Sequence, residues 1–182
     1  MSIKSKIMKI GICSVMVLVP ISQISFPSFA AEETGQNIVN IPDPELKAAL
    51  NSLRGKPLTE NFTETEMLGF NGFVLSGNIT DLTGLEYAKN VNMLVLDNIS
   101  ATNYEQITKL PELTNLTIKG ANVTSSVIPD LSGLTKLTSM YVTDSNIDNS
   151  VYPKINNIPN LSSLSLTNNK KITNVTDLKS SP

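Results

Sequence analysis

The residues of this chain that could hold a metal ion stand in one string, DSNIDNS, from Asp144 to Ser150. Asp144, Asn146 and Asp148 fall at alternate positions, and oxygen donors at that spacing open an EF-hand calcium loop. The rest of such a loop is missing. Asn149 replaces the glycine of the sharp turn, Ile155 stands where a bidentate glutamate is required, and Ile147 inside the string is apolar. A polar bend is the simpler reading. GFVLSGN, Gly72 to Asn78, has the glycine spacing of a phosphate loop, but Asn78 stands where lysine is needed. The chain has no histidine, and its one cysteine is Cys13, so imidazole bases and the usual zinc sites are excluded. No G-x-S-x-G elbow occurs, and no two carboxylates recur at a spacing that would serve a glycosidase. The sequence therefore predicts no catalytic residue, no cofactor and no metal site.

Any recognition surface must be carried by elements that begin after residue 30. Lys4, Lys6 and Lys9 precede the apolar run IGICSVMVLVPI and a small-residue exit at Ser28-Phe29-Ala30. That is the pattern of a secretory signal peptide, residues 1–30, cut before Ala31. The run is shorter than the roughly 20 residues of a membrane span. Cys13 opens the run behind Ile12, which does not fit a lipid-attachment site. The expected product is secreted and extracellular, with no wall-sorting signal or transmembrane anchor in this chain and no membrane insertion after cleavage. Without cysteine, its stability must come from packing or a bound metal. Removing the three lysines leaves 11 basic against 16 acidic side chains, which argues against nucleic acid as a partner. With 40% apolar and 16% charged residues, the chain can bury a real core.

A long period organises residues 70–182. FNGFVLSGNIT from Phe70, VNMLVLDNISA from Val91, LTNLTIKGANV from Leu113, LTSMYVTDSNI from Leu137 and LSSLSLTNNKK from Leu161 each carry apolar residues at positions one, four and six. Their starts are 21, 22, 24 and 24 residues apart, within the range of leucine-rich repeats. Alternation within x-L-x-L predicts a short strand with two buried side chains, and stacked repeats predict a parallel sheet. Leu82, Leu85 and Ala88, then Ile107 and Leu110, Leu131 and Leu134, and Ile155 and Ile158 are the expected inward residues of the return arcs. Pro111, Pro129, Pro153 and Pro159 favour 3₁₀ or extended arcs over α-helix. Asn78 and Asn169 hold the ninth position, where an inward amide would bond the bend; Ile99, Ala121 and Ser145 replace it elsewhere.

Residues 31–69 read as a linker and a helical N-terminal cap. Asp43 caps a helix with Pro44 at its first position, Leu46, Leu50 and Leu53 on one face, and Gly55 as its stop. Thr63 to Glu66 offers a capping box. The fold class predicted is a leucine-rich-repeat solenoid: a parallel β-sheet on the concave face, 3₁₀ or extended return arcs, and a small helical cap. About five repeats are expected, the last incomplete, because Ser181 stands where an apolar residue should precede a sixth strand.

These features resemble the internalin family, secreted and surface leucine-rich-repeat proteins of Listeria and related Gram-positive bacteria. The resemblance rests on the signal peptide, PDPELKAAL, ITDLTGLEYAKNV, and LxxLxL repeats joined by LSGLTKL and NNIPNL, from about Asn37 to Lys179. It implies a virulence-associated binding module that adheres to a host-cell or surface protein. A glycan partner stays open, as does a relic or fragment of a longer protein without binding of its own. In a bacterial protein the Asn-x-Ser/Thr triplets reflect repeat composition more than glycosylation. The expected contact surface is the concave face: Met93, Val95, Asp97, Thr117, Lys119, Tyr141 and Thr143. Met93 and Val95 form an apolar patch, which could equally be good strand formers covered by a loop, and Tyr141 centres the fifth-position row.

Overall fold

The computed structural model describes residues 37–178. The expected signal peptide, the start of the linker and the Ser181 position lie outside these residues.

Helix α1 (Pro44–Arg54) starts where the sequence demands it. The Asp43 carboxylate accepts from the amides of Glu45 and Leu46 at 2.9 Å each. Pro44 sits in the first turn, where its missing N–H leaves nothing unpaired. Gly55, at φ 64°, ends the helix in the left-handed region. Leu46 and Leu50 are fully buried, but Leu53 is exposed and does not share their face as predicted. The helix instead turns its Asn51 flank inward, where the amide donates to the Leu58 and Glu60 carbonyls at 3.1 and 2.8 Å.

Helix α2 (Glu64–Met67) carries the predicted capping box. The Thr63 hydroxyl accepts from the Glu66 amide at 3.2 Å, and the Glu66 carboxylate accepts from the Thr63 amide at 2.9 Å. Lys56 lies 2.7 Å from Glu66 and, with the Thr63 amide, holds the Glu66 carboxyl below its ordinary range. Phe62, Phe70 and Phe73 run from this region into the sheet, with ring centroids 5.8 and 5.4 Å apart.

The sheet is parallel and follows chain order: β1 (Gly72–Ser76), β2 (Met93–Asp97), β3 (Asn115–Lys119), β4 (Ser139–Thr143) and β5 (Ser163–Ser165). Its register sets equivalent repeat positions side by side, so Phe73, Leu94, Leu116, Met140 and Leu164 form one inward row. Leu75, Leu96, Ile118 and Val142 form the second. Every inward arc residue predicted from Leu82 to Ile158 is buried. The arcs contain 3₁₀ turns at Leu85–Tyr87, Tyr104–Lys109 and Asn149–Val151. The last runs on into one α-turn, α3 (Tyr152–Ile155), contrary to the 3₁₀ or extended expectation. Pro153 lies in its first turn, the one helical place where proline costs no hydrogen bond.

The bends after the strands follow a rule at the eighth position, not the ninth. Gly77, Asn98, Gly120, Asp144 and Asn168 all have positive φ, from 52° to 136°. Glycine adopts that conformation freely, and asparagine and aspartate tolerate it best among the rest. The ninth-position expectation fails at Asn78, whose side chain is exposed. Ile79 beside it is fully buried and fills the space an inward amide would use. Asn169 does turn inward. Its amide donates to the carbonyls of Val142 and Leu166 at 2.7 and 2.8 Å, and its oxygen accepts from the Ser145 amide at 3.0 Å.

Candidate functional site

With the even positions of β1 to β4 buried and that of β5 half-buried, the odd ones build an outward surface over all five strands. Met93, Val95 and Asp97 come from β2, Thr117 and Lys119 from β3, Tyr141 and Thr143 from β4. The structure sets all seven on the same side of the sheet. Register brings Val95 beside Thr117 and Thr117 beside Tyr141, and it brings Asp97 beside Lys119. Met93, Lys119 and Tyr141 are exposed, whereas Val95, Asp97, Thr117 and Thr143 are half-covered by their neighbours.

The apolar part is larger than Met93 and Val95 alone. Val74 of β1, the register partner of Val95, is 51% exposed, Met93 is 43% exposed and Tyr141 38%. Gly72 explains why Met93 stands free on one flank. A Cβ at Gly72 would lie 3.2 Å from the Met93 Cβ and 3.0 Å from its carbonyl oxygen, so a larger residue would crowd the neighbouring strand. The Tyr141 hydroxyl lies 3.4 Å from that of Ser163, which leans the ring along the sheet towards β5. The Asp97 carboxylate accepts from the Asn98 side chain at 2.7 Å.

Two linkages hold this surface in place. At the N-terminal edge, the second Asp43 oxygen accepts from the Thr80 amide at 2.8 Å, the Thr80 hydroxyl at 2.9 Å and the Asp81 amide at 3.1 Å. One carboxylate therefore both caps α1 and fastens it to the first bend. Burial acts against its charge, but hydrogen bonds from Leu46, Thr80 and Asp81 outweigh that and hold its pKa below the ordinary value. Along the sheet's leading edge, Thr114, Thr138 and Ser162 each donate a hydroxyl to a carbonyl of the preceding repeat, at 2.9, 3.2 and 3.1 Å.

The string Asp144, Asn146 and Asp148 does not converge. Asp144 accepts from the Asn168 side chain at 2.8 Å. Asn146 donates to the Ala121 carbonyl. The Asp148 carboxylate accepts from the Ser125 hydroxyl at 2.9 Å and from the Ser150 amide at 3.0 Å. Hydrogen bonds from Ser150 and Ser125 keep the Asp148 carboxyl below its usual range. Each side chain ties one bend to its own neighbour, and Ile147 between them is buried. Among the described residues, no group of three or more His, Cys, Asp or Glu side chains is arranged to hold a metal ion.

Two features escaped the sequence reading. The left-handed row is written in the sequence as Gly, Asn or Asp at every eighth position, one residue before the ninth-position amides. A cleft beside Asp144 and Asn168 joins side chains 24 residues apart, which no local pattern could reveal.

This architecture has counterparts among solved structures. An internalin (inlF) of Listeria monocytogenes superposes with a TM-score of 0.55 at 21% identity, over 75% of this chain and 46% of that one. The fold is that of the internalins. A second match, an internalin-like protein of Listeria monocytogenes, gives 0.53 at 22% identity, over 76% of this chain and 51% of the other. The present chain thus spans about half the length of each of these internalin-fold structures. The CBM51-2 and INT domains of Clostridium perfringens ZmpB are 30% identical over 49% of this chain and 20% of theirs, but the TM-score of 0.42 is too low to argue from. The sequence matches no family model and no curated protein.

Proposed function

We propose that the chain is a secreted, internalin-like binding module that recognises a host-cell or other surface protein through the outward sheet face. The observation that carries this reading is the set of exposed apolar and aromatic side chains, Val74, Met93 and Tyr141, on a sheet whose other face is buried. Side chains of that kind on a preformed support are what binding hot spots are made of. Recognition, with no catalytic step, is the activity proposed. The charge balance and the leader-like N-terminus support an extracellular partner without nucleic acid, and α1 and α2 serve as the N-terminal cap. No helix among the described residues is long and apolar enough to cross a membrane.

The test is binding of the chain to a panel of immobilised cell-surface ectodomains, run beside Met93→Ser, Val95→Ser and Tyr141→Ser. The wild type should bind at least one ectodomain, and the Met93 and Tyr141 variants should weaken it about tenfold or more. Undiminished binding in all three variants would remove this face from the interaction.

A further inference from the structure

We infer that the ends of β4 and β5 form a site for a neutral saccharide, built from residues other than the apolar row of β1 and β2. A cleft of about 480 Å³ opens there, lined by Ala121, Asp144, Ser145, Asn146, Asn168 and Lys170. Cavities of this size suit small ligands, which a few convergent polar groups hold in one orientation. The Asp144 carboxylate offers acceptors, the Lys170 ammonium offers donors, and the amides of Asn146 and Asn168 offer both. The two charges offset each other, so the cleft does not select an ion. Each sugar hydroxyl donates and accepts, and a pair of adjacent hydroxyls can therefore engage the carboxylate and the ammonium together.

Three of the lining residues are tied by the protein's own hydrogen bonds. Asp144 and Asn168 both occupy the left-handed region, at φ 52° and 60°, and are joined at 2.8 Å. Asn146 is tied to the Ala121 carbonyl. Before these bends in sequence, the outward sheet face carries the hydroxyls of Thr143, Ser163, Ser165 and Thr167, with those of Ser165 and Thr167 2.7 Å apart. Tyr141 lies three residues before Asp144, about 10 Å back along the strand. Its ring leans towards Ser163 and leaves an exposed aromatic surface, on which the apolar C–H face of a sugar ring can rest. Polar groups that fix hydroxyls and an aromatic surface that takes the ring face are the two things a saccharide requires. This site goes beyond the protein-recognition reading, since Met93 and Val95 take no part in it.

The experiment is an amide NMR titration of the full chain with maltotriose and chitotriose, with sialyllactose as a charged comparison. The neutral sugars should shift the signals of Tyr141, Asp144, Asn146, Asn168 and Lys170, with a dissociation constant on the order of 1 mM. Lys170→Ala and Tyr141→Ser should each weaken binding by roughly tenfold. Asp144→Asn, which keeps a residue tolerant of positive φ, should weaken it without unfolding the bend. Met93→Ser should leave the sugar titration unchanged, so the two proposals fail separately. Absence of shifts with either neutral sugar, shifts centred on β2, or equal affinity in the Lys170 and Tyr141 variants would overturn the assignment.

Discussion

At β1 the sheet edge is covered by the helical cap, whereas at β5 the equivalent leucine positions line an apolar cleft. Asp43 bolts α1 to the first bend, and Phe62, Phe70 and Phe73 carry the core from the cap into the sheet. Phe73 and Leu75 are buried as a result. Leu164 of β5 and Leu166 just after it hold the equivalent positions and are only half-buried, beside a cleft of about 380 Å³ shared with Ile172, Val175 and Leu178. The repeat pattern thus specifies the interior of the stack. An edge needs residues from outside the pattern.

Truncation at one repeat position should expose this difference most clearly. Leu96→Ala removes a fully buried side chain and should cost about 3 kcal/mol in urea unfolding, while Leu166→Ala should cost about 1 kcal/mol. Equal losses would erase the contrast between centre and edge. Asp43→Ala breaks both the helix cap and the link to Thr80 and Asp81, for an expected loss of about 2 kcal/mol. The folded carboxyl titrates below its ordinary value of 3.8, so its contribution is complete above that pH and fades as pH falls through the lowered folded value. The stability gap between wild type and variant, followed by acid titration of the unfolding midpoint, should therefore close below about pH 4.

The ninth-position asparagines allow a finer comparison. Asn169→Ala strands the Ser145 amide and two carbonyls and should cost about 2 kcal/mol, whereas Asn78→Ala should fall within about 0.5 kcal/mol of wild type. A large effect at Asn78 would contradict its exposed position. The smallest change is expected at Lys136→Ala, which breaks an exposed ion pair with Glu112 at 2.6 Å and should alter the melting temperature by no more than the equivalent of about 0.5 kcal/mol.

The inward rows and the arcs were legible in the sequence because burial imposes a period that composition cannot hide. The α1 cap was legible because Asp43, Pro44 and Gly55 each satisfy a local backbone requirement. Leu53 and Asn78 depart from the pattern for a tertiary reason: two loop carbonyls hold the Asn51 amide inward, and Ile79 beside Asn78 is the residue that is buried. Strand parity placed Met93, Val95, Asp97, Thr117, Lys119, Tyr141 and Thr143 on one face. It could not foresee how exposed each would be, because that depends on neighbours such as Gly72 and Ser163 that only the register supplies.

The central claim is that, among the described residues, the sheet is preformed, covered by the cap at β1 and less deeply buried at β5, where Leu164 and Leu166 are half-buried. Native-state hydrogen exchange on the strand amides tests it most directly. Amides of β2 and β3 should exchange only through global unfolding, and those of β5 should exchange at least about a hundredfold faster, through local opening. Equal protection from β1 to β5 would contradict the shallower burial at β5, and rapid exchange in β2 and β3 would contradict the preformed sheet.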